Sequence, residues 1–176
     1  MTQDECRPCA FLDRDGVINV DHGYVWRPQD LEFMPGAPEA VAMLNAADYL
    51  VVVVTNQSGV ARGMYSEINV VDFHSYMHEM LKMHGGHVDA FYYCPYHADA
   101  IVTAFRHPDH PDRKPNPGMI ERAMRDLPIR REGSFLIGDK DSDMEAARRA
   151  SIPGYLFAGG RLDSFAAQIL GGSTQA

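Results

Sequence analysis

Leu50-Val51-Val52-Val53-Val54-Thr55-Asn56 is the stretch that decides the fold. Four consecutive valines after a leucine leave no polar face, the pattern of a strand buried on both sides, as in a parallel sheet covered by helices. Toward the N-terminus, Pro38 to Ala47 reads as a helix with Ala40, Val41 and Leu44 on one side. Before it, the apolar run Cys9 to Leu12 stops at Asp13 and reads as a first strand. Toward the C-terminus, Ser66 is the expected N-cap of a long helix whose inner side carries Val70, Phe73, Met77, Met80 and Leu81. Val88 to Tyr93 is a third strand. Asn116 and Pro117, an N-cap and a first-turn proline, open a helix through Met119, Ile120, Ala123, Met124 and Leu127. Ser134 to Ile137 is a fourth strand, ended by Gly138-Asp139; Asp143 to Ala150 is a helix and Tyr155 to Phe157 a fifth strand. Such alternation implies an α/β fold, a central parallel sheet with helices on both faces. The 176 residues fit one domain over 1–176, with a core of about 10–158.

Acidic residues outnumber basic ones, 24 to 16, for a formal charge of −8, which argues against a nucleic-acid partner. It does not exclude a small phosphorylated substrate, because local charges govern such a site. The N-terminus, Met1 to Cys6, lacks the stretches of a signal peptide. No apolar run reaches the roughly 18–20 residues of a membrane span. The 3 cysteines cannot all pair, so a disulfide framework is not expected and a reducing cytoplasm is the default setting. Cys6-Arg7-Pro8-Cys9 leads into a strand, whereas a redox pair opens a helix. The histidines on or beside the long helix (His74, His78, His84, His87) read as a solvated face.

Ligands of open parallel sheets bind beyond the carboxyl ends of the strands. In order, those ends carry Asp13 and Asp15, then Thr55-Asn56, then Asp139-Lys140, with Arg113-Lys114 preceding a helix. Phosphoryl transfer from a monoester needs a nucleophile, neutralised phosphate oxygens and a proton for the leaving group. Asp13 can attack phosphorus, and Asp15, two residues on, can protonate the leaving oxygen and later activate water. A hard cation such as Mg²⁺ suits Asp13, Asp139 and the backbone carbonyl of Asp15. Thr55, Asn56 and Lys114 would hold the phosphate oxygens. The long connections Asn19 to Pro35 and Cys94 to Pro115 read as walls of the site.

These segments resemble a known family. Asp13-Arg14-Asp15-Gly16-Val17, Thr55-Asn56-Gln57, Arg113-Lys114-Pro115 and Gly138-Asp139-Lys140-Asp141-Ser142-Asp143 resemble, in order, the four motifs of the haloacid dehalogenase (HAD) phosphatase superfamily, over about Ala10 to Phe157. The resemblance implies a single Rossmann-like HAD domain without a large cap, and a monomer. More narrowly, Asp13 to Val25 and Thr55 to Gly63 are similar to the heptose 1,7-bisphosphate 7-phosphatase family, whose nearest relatives are the histidinol-phosphate phosphatases. That likeness implies a phosphorylated-sugar substrate from lipopolysaccharide-precursor synthesis. It implies substrate contacts at Asp21, His22, Gly23, Tyr24, Thr55, Asn56, Gln57, Ser58, Arg113, Lys114 and Lys140. Arg113 offers a permanently charged planar fork for a second phosphate. A polar Asx-type turn is the alternative reading of Asp21 to Tyr24, and Arg62 reads as either a surface or a binding arginine.

The same family carries a zinc loop, from which this sequence departs. Cys94-Pro95-Tyr96-His97 retains one cysteine, but His107-Pro108-Asp109-His110 stands where further cysteines are expected. Cys94, His97, His107 and His110 have spacing admissible for a tetrahedral Zn²⁺ site, and a proline-stiffened loop without metal is the alternative. A receiver-type signalling domain also groups acids, a hydroxyl and a lysine around magnesium, but its acceptor aspartate ends the third strand, where this chain has Tyr93-Cys94. A sugar-phosphate-binding protein without turnover finds no support in the motifs.

Overall fold

The structure, a computed structural model, describes residues 6–172. The reading of the extreme N-terminus falls on residues 1–5, outside this range.

Five strands, β1 (Cys9–Leu12), β2 (Leu50–Asn56), β3 (Ala90–Cys94), β4 (Phe135–Gly138) and β5 (Gly154–Leu156), form one sheet in the order β3-β2-β1-β4-β5. Every neighbouring pair is parallel, as the valine run requires. Successive side chains of a strand serve opposite faces. Ala10, Leu12, Val51, Val53 and Ile137 therefore pack with Leu44 of α1 (Ala37–Ala46), Phe73 and Met77 of α2 (Glu67–Lys82) and Ile169 of α5 (Leu162–Gly172). Phe11, Val52, Val54 and Leu136 pack instead with Ile120 of α3 (Gly118–Asp126) and Ala146 of α4 (Asp141–Arg149). Each such fully buried valine or leucine contributes about 1.5–3 kcal/mol relative to exposure. This two-sided burial is why β2 shows no polar alternation.

The topology also places the site. From β1 the chain moves outward through β2 to β3, then returns to lay β4 on the other side of β1. Helices leaving β1 and β4 run in opposite directions along the sheet, which opens a crevice at the carboxyl ends of those two strands. Asp13 and Asp139 follow those ends. Among the described residues, the connections over this edge hold only the short 3-10 turns Pro28–Asp30 and Thr103–Phe105, and no cap domain. No described helix is long and apolar enough to cross a membrane.

The expected elements are all present, with shifted ends. β2 continues to Asn56 because Thr55 and Asn56 still pair with Tyr93 and Cys94. β3 starts at Ala90, since Asp89 brackets Val51 first: its N–H donates to Val51 O, and its carboxylate accepts from Val51 N–H. Asn116 does not cap α3, whose N-cap is Pro117. Its side chain donates to Asp109 and His110 and accepts from Arg149 instead. Ser66 does cap α2, in a reciprocal box with Asn69. On the inner side of α2, however, His74 is 4% exposed while Met80 is only partly buried. The solvated-face reading of His74 is thus overturned: a polar ring has been taken into the core, and its partner is described below. The structure adds α5 beyond the last expected strand, with Leu162, Phe165, Ala166, Ile169 and Leu170 at helical spacing against α1 and the sheet.

Candidate active site

Lys114 is the hub of the crevice. Its ammonium is nearly sealed from solvent and lies 2.9 Å from Asp13 Oδ1 and 2.6 Å from Asp143 Oδ1. It also donates to Val54 O at 2.9 Å, so the end of β2 fixes it. Asn56 holds the Lys114 backbone from both sides, its Nδ2 donating to Lys114 O and its Oδ1 accepting Lys114 N–H, each at 3.0 Å. The side chain expected to grip a phosphate thus grips the lysine. The cleft, of about 50 Å³, is lined by Asp13, Asp15, Thr55, Asn56, Lys114 and Lys140, together with Ser142 and Asp143.

Asp143 was not among the expected site residues. It opens the inward side of α4, is fully buried, and its Oδ2 accepts the Lys140 N–H at 3.0 Å. Its signal in the sequence is that it closes the segment Gly138 to Asp143 and stands in the first turn of the helix, where an acid at the third position can accept the N-cap N–H. Two glycines make the closure possible. A Cβ on Gly138 would stand 2.2 Å from Asp143 Cβ, and one on Gly16, at φ +86°, would stand 2.4 Å from Asp139 Oδ2.

The charges do not balance. Burial pushes Asp13 up to about 7 against the pull of Lys114, with Asp143 and Asp15 adding to the rise. Burial also raises Asp139, which Lys140 opposes. For Lys114, burial disfavours the charge, yet Asp13 and Asp143 outweigh it and hold the pKa above its ordinary value. Burial leads the rise at both aspartates, and one buried ammonium is shared by more carboxylates than it neutralises. Asp139 Oδ1 is moreover buried without a hydrogen-bond partner. Asp13, Asp139 and Asp143 can place oxygens within 4.8 Å of one another. An all-oxygen donor set short of positive charge fits a hard divalent cation such as Mg²⁺.

Asp15 faces the cleft but is anchored behind it. Its Oδ1 accepts from Arg14 Nη2 and from Asn19 Nδ2, both at 2.9 Å, and its Oδ2 accepts from Arg14 Nη2 at 2.9 Å and Gln57 Nε2 at 3.0 Å. Gln57 also donates to Thr55 Oγ1 and accepts from Tyr65, so its amide is fully engaged and buried. Gln57 is therefore corrected from a substrate contact to a brace between Asp15 and Thr55.

The remaining expected residues divide. Lys140 Nζ lies 3.7 Å from Asp21 and 3.8 Å from Asp139, bridging the first wall to the cleft. Burial works against its charge, but Asp139, Asp13 and Asp21 hold its pKa up. Asp21 also accepts the Gly23 N–H at 2.9 Å, the Asx-type turn. His22, Gly23 and Tyr24 line a separate hollow with Val25 and residues 29–32, and His22 pairs with Glu32 at 2.8 Å. The structure thus brings Asp21 to the cleft and leaves the next three residues beside it. Ser58 accepts the Arg62 N–H in the turn after β2. Arg113 is half-buried and donates to Tyr96 O at 3.2 Å, with burial lowering its pKa first and Arg62 contributing.

The four candidate zinc ligands do not converge; among the described residues, the metal-competent group is the aspartate trio. His97, His107 and His110 each turn Nδ1 inward to accept the N–H two residues on, from Asp99, Asp109 and Asp112. The His110 ring stacks on Tyr96 at 4.0 Å, with His107 edge-on at 5.1 Å. Cys94 Sγ sits 3.9 Å from His110, and burial pushes its thiol up to about 11. Turns and stacking order this loop in place of the zinc that its spacing allows. Cys9 is likewise a buried core thiol, its pKa raised by burial.

A family model described as HAD-hydrolase-like matches residues 112–168. The chain is 47% identical over 165 residues to a D-glycero-beta-D-manno-heptose-1,7-bisphosphate 7-phosphatase of Rhodopseudomonas palustris, covering 93% of this chain and 91% of the relative. It is 45% identical to the enzyme of that name from Photorhabdus laumondii, covering 82% of this chain and 77% of the relative. The structure is similar to that of a D,D-heptose 1,7-bisphosphate phosphatase from B. bronchiseptica complexed with magnesium and phosphate, with a TM-score of 0.80, 32% identity, and coverage of 94% and 99%.

Proposed function

This chain belongs to the HAD-like phosphatases, hydrolases of phosphoric monoesters, and from that premise we propose that it removes the 7-phosphate of D-glycero-D-manno-heptose 1,7-bisphosphate through an aspartyl-phosphate on Asp13. The substrate rests on one observation, 47% identity across 93% of the chain to a relative of that name. The chemistry rests on the group of Asp13, Asp139 and Asp143 around buried Lys114.

Asp13 attacks phosphorus, the bond to the sugar oxygen breaks, and Asp15 gives that oxygen its proton. Asp15 then takes a proton from the water that attacks the aspartyl-phosphate, releasing phosphate and restoring Asp13. Lys114 neutralises phosphate oxygens. Thr55 Oγ1 accepts from Gln57, which leaves its own hydrogen to donate to the phosphate. Asp13 and Asp139, with the Asp15 carbonyl, would hold Mg²⁺, which would supply the missing positive charge. Arg113 and Lys140 receive the distal phosphate, with Asp21 as the wall beside them. The enzyme acts as a single domain over 1–176 and as a cytoplasmic monomer, and its product enters nucleotide-heptose synthesis.

The test is phosphate release from heptose 1,7-bisphosphate, fructose 1,6-bisphosphate and histidinol phosphate. The heptose bisphosphate is expected to give the highest kcat/KM and to leave heptose 1-phosphate. A preference for histidinol phosphate would overturn the substrate assignment.

A further inference from the structure

Arg14 lies between two aspartates of the site yet is itself completely buried. A guanidinium has five N–H donors and cannot shed its charge, so in a dry setting its orientation is set by the acceptors around it. Nε and Nη2 face Asp15, at 3.2 Å and 2.9 Å to Oδ1, and Nη2 also reaches Val25 O at 2.6 Å. The Phe73 ring covers one face, 4.8 Å from Cζ. That leaves Nη1, on the side away from Asp15, where it meets Nε2 of His74 at 3.3 Å. His74 is buried on α2, with its ring stacked on Phe91 at 4.5 Å and 17°.

We propose that His74 is a positioning residue: its Nε2 accepts from Arg14 Nη1 and thereby squares the guanidinium onto Asp15, the group that protonates the leaving sugar oxygen. For Nε2 to accept, the ring must be neutral with its hydrogen on Nδ1. Burial first, and Arg14 second, hold the His74 pKa well below the ordinary histidine value, consistent with that state. Without this acceptor, Nη1 has to find another, the guanidinium tilts, and the paired contacts to Asp15 tilt with it. Nothing in this role touches substrate.

The inference rests on Asp15 being the general acid, and the test separates the two claims. kcat/KM reports events up to departure of the leaving group. A sugar oxygen needs a proton to leave, whereas p-nitrophenolate does not, so weak acid catalysis penalises the sugar phosphate selectively. His74→Phe keeps the stack on Phe91 and removes the acceptor. His74→Gln keeps an acceptor near the Nε2 position and removes the aromatic stack. The positioning role predicts that His74→Phe lowers kcat/KM for the sugar bisphosphate about tenfold or more while changing that for p-nitrophenyl phosphate about twofold or less, and that His74→Gln restores most of the loss. A packing role predicts the reverse order, with Gln the more damaging. Equal losses on both substrates, no loss, or Gln worse than Phe would overturn the proposal. Asp15→Asn is the control. If it discriminates between the substrates and His74→Phe does not, the inference alone fails. If Asp15→Asn shows no discrimination, the general-acid reading fails and the inference falls with it.

Discussion

Two regions meet at Lys114. On one side is the sheet edge, where Asp13, Val54 and Asp143 reach the ammonium from the ends of β1 and β2 and the first turn of α4. On the other is the connection from Cys94 to Pro115, which delivers Lys114 through imidazole-to-backbone turns and a Tyr96–His110 stack. The edge concentrates uncompensated charge on rigid elements; the loop supplies Arg113 and Lys114 and is otherwise ordered by many small contacts. Substitutions at the edge and at Lys114 should therefore be severe and coupled to metal and pH, whereas those in the loop that touch neither Arg113 nor Lys114 should be mild and local.

The largest effect is expected at Asp13. Asp13→Asn should lower phosphate release by about 10³-fold or more, because no other group replaces a covalent nucleophile. The same variant should stabilise the metal-free protein above neutral pH. A carboxyl raised from 3.8 to about 7 contributes stability that is fully present below 3.8 and lost as pH rises through about 7. Metal-free denaturation curves should thus converge for wild type and Asp13→Asn near pH 4 and separate in favour of Asn by pH 8. Parallel behaviour at both pH values would show that the edge is not short of positive charge.

Next comes the hub. Lys114→Met leaves Asp13 and Asp143 buried without their shared cation, and should cost about 3–5 kcal/mol in urea denaturation as well as most activity. A loss under about 1 kcal/mol would erase the contrast between edge and loop. In the loop, Tyr96→Ala removes one ring of a stack and should cost about 0.5–1.5 kcal/mol beyond its buried area, with kcat little changed. Added Zn²⁺ should leave the wild-type melting midpoint where it was. A rise would show that Cys94, His97, His107 and His110 regroup on a metal, and the loop would no longer count as neutral. Smallest of all, Arg122→Gln loses a half-exposed ion pair with Asp112 and should change stability by about 1 kcal/mol or less.

The two regions also differ in how legible they are. Asp13, Thr55 and Asp139 could be read because each follows an apolar strand, and parallel topology carries all strand ends to one edge. Asp143 could have been read as the acid that closes the Gly138 to Asp143 segment, at the third position of its helix. Asn56 and Gln57 were recognisable as site residues, but their roles were not. An amide donates and accepts equally well to a phosphate, a lysine backbone or an aspartate, and only geometry chooses. His74 escaped because its side chain is polar, although its position, four after Val70 and three before Met77, lies on the inner stripe of α2, and because its buried partner, Arg14, is distant in sequence. The loop offered only the spacing of its donors. Spacing allowed zinc, and whether Nδ1 faces a metal or the N–H two residues on is decided by backbone turns that carry no periodic signal.

Everything at the edge turns on Asp13 as the group that takes the phosphoryl group. Quenching the enzyme during turnover and reducing with borohydride converts an aspartyl-phosphate to homoserine, which mass spectrometry locates. Conversion is expected at position 13 and at no other aspartate. Conversion at Asp15, Asp139 or Asp143 would contradict it.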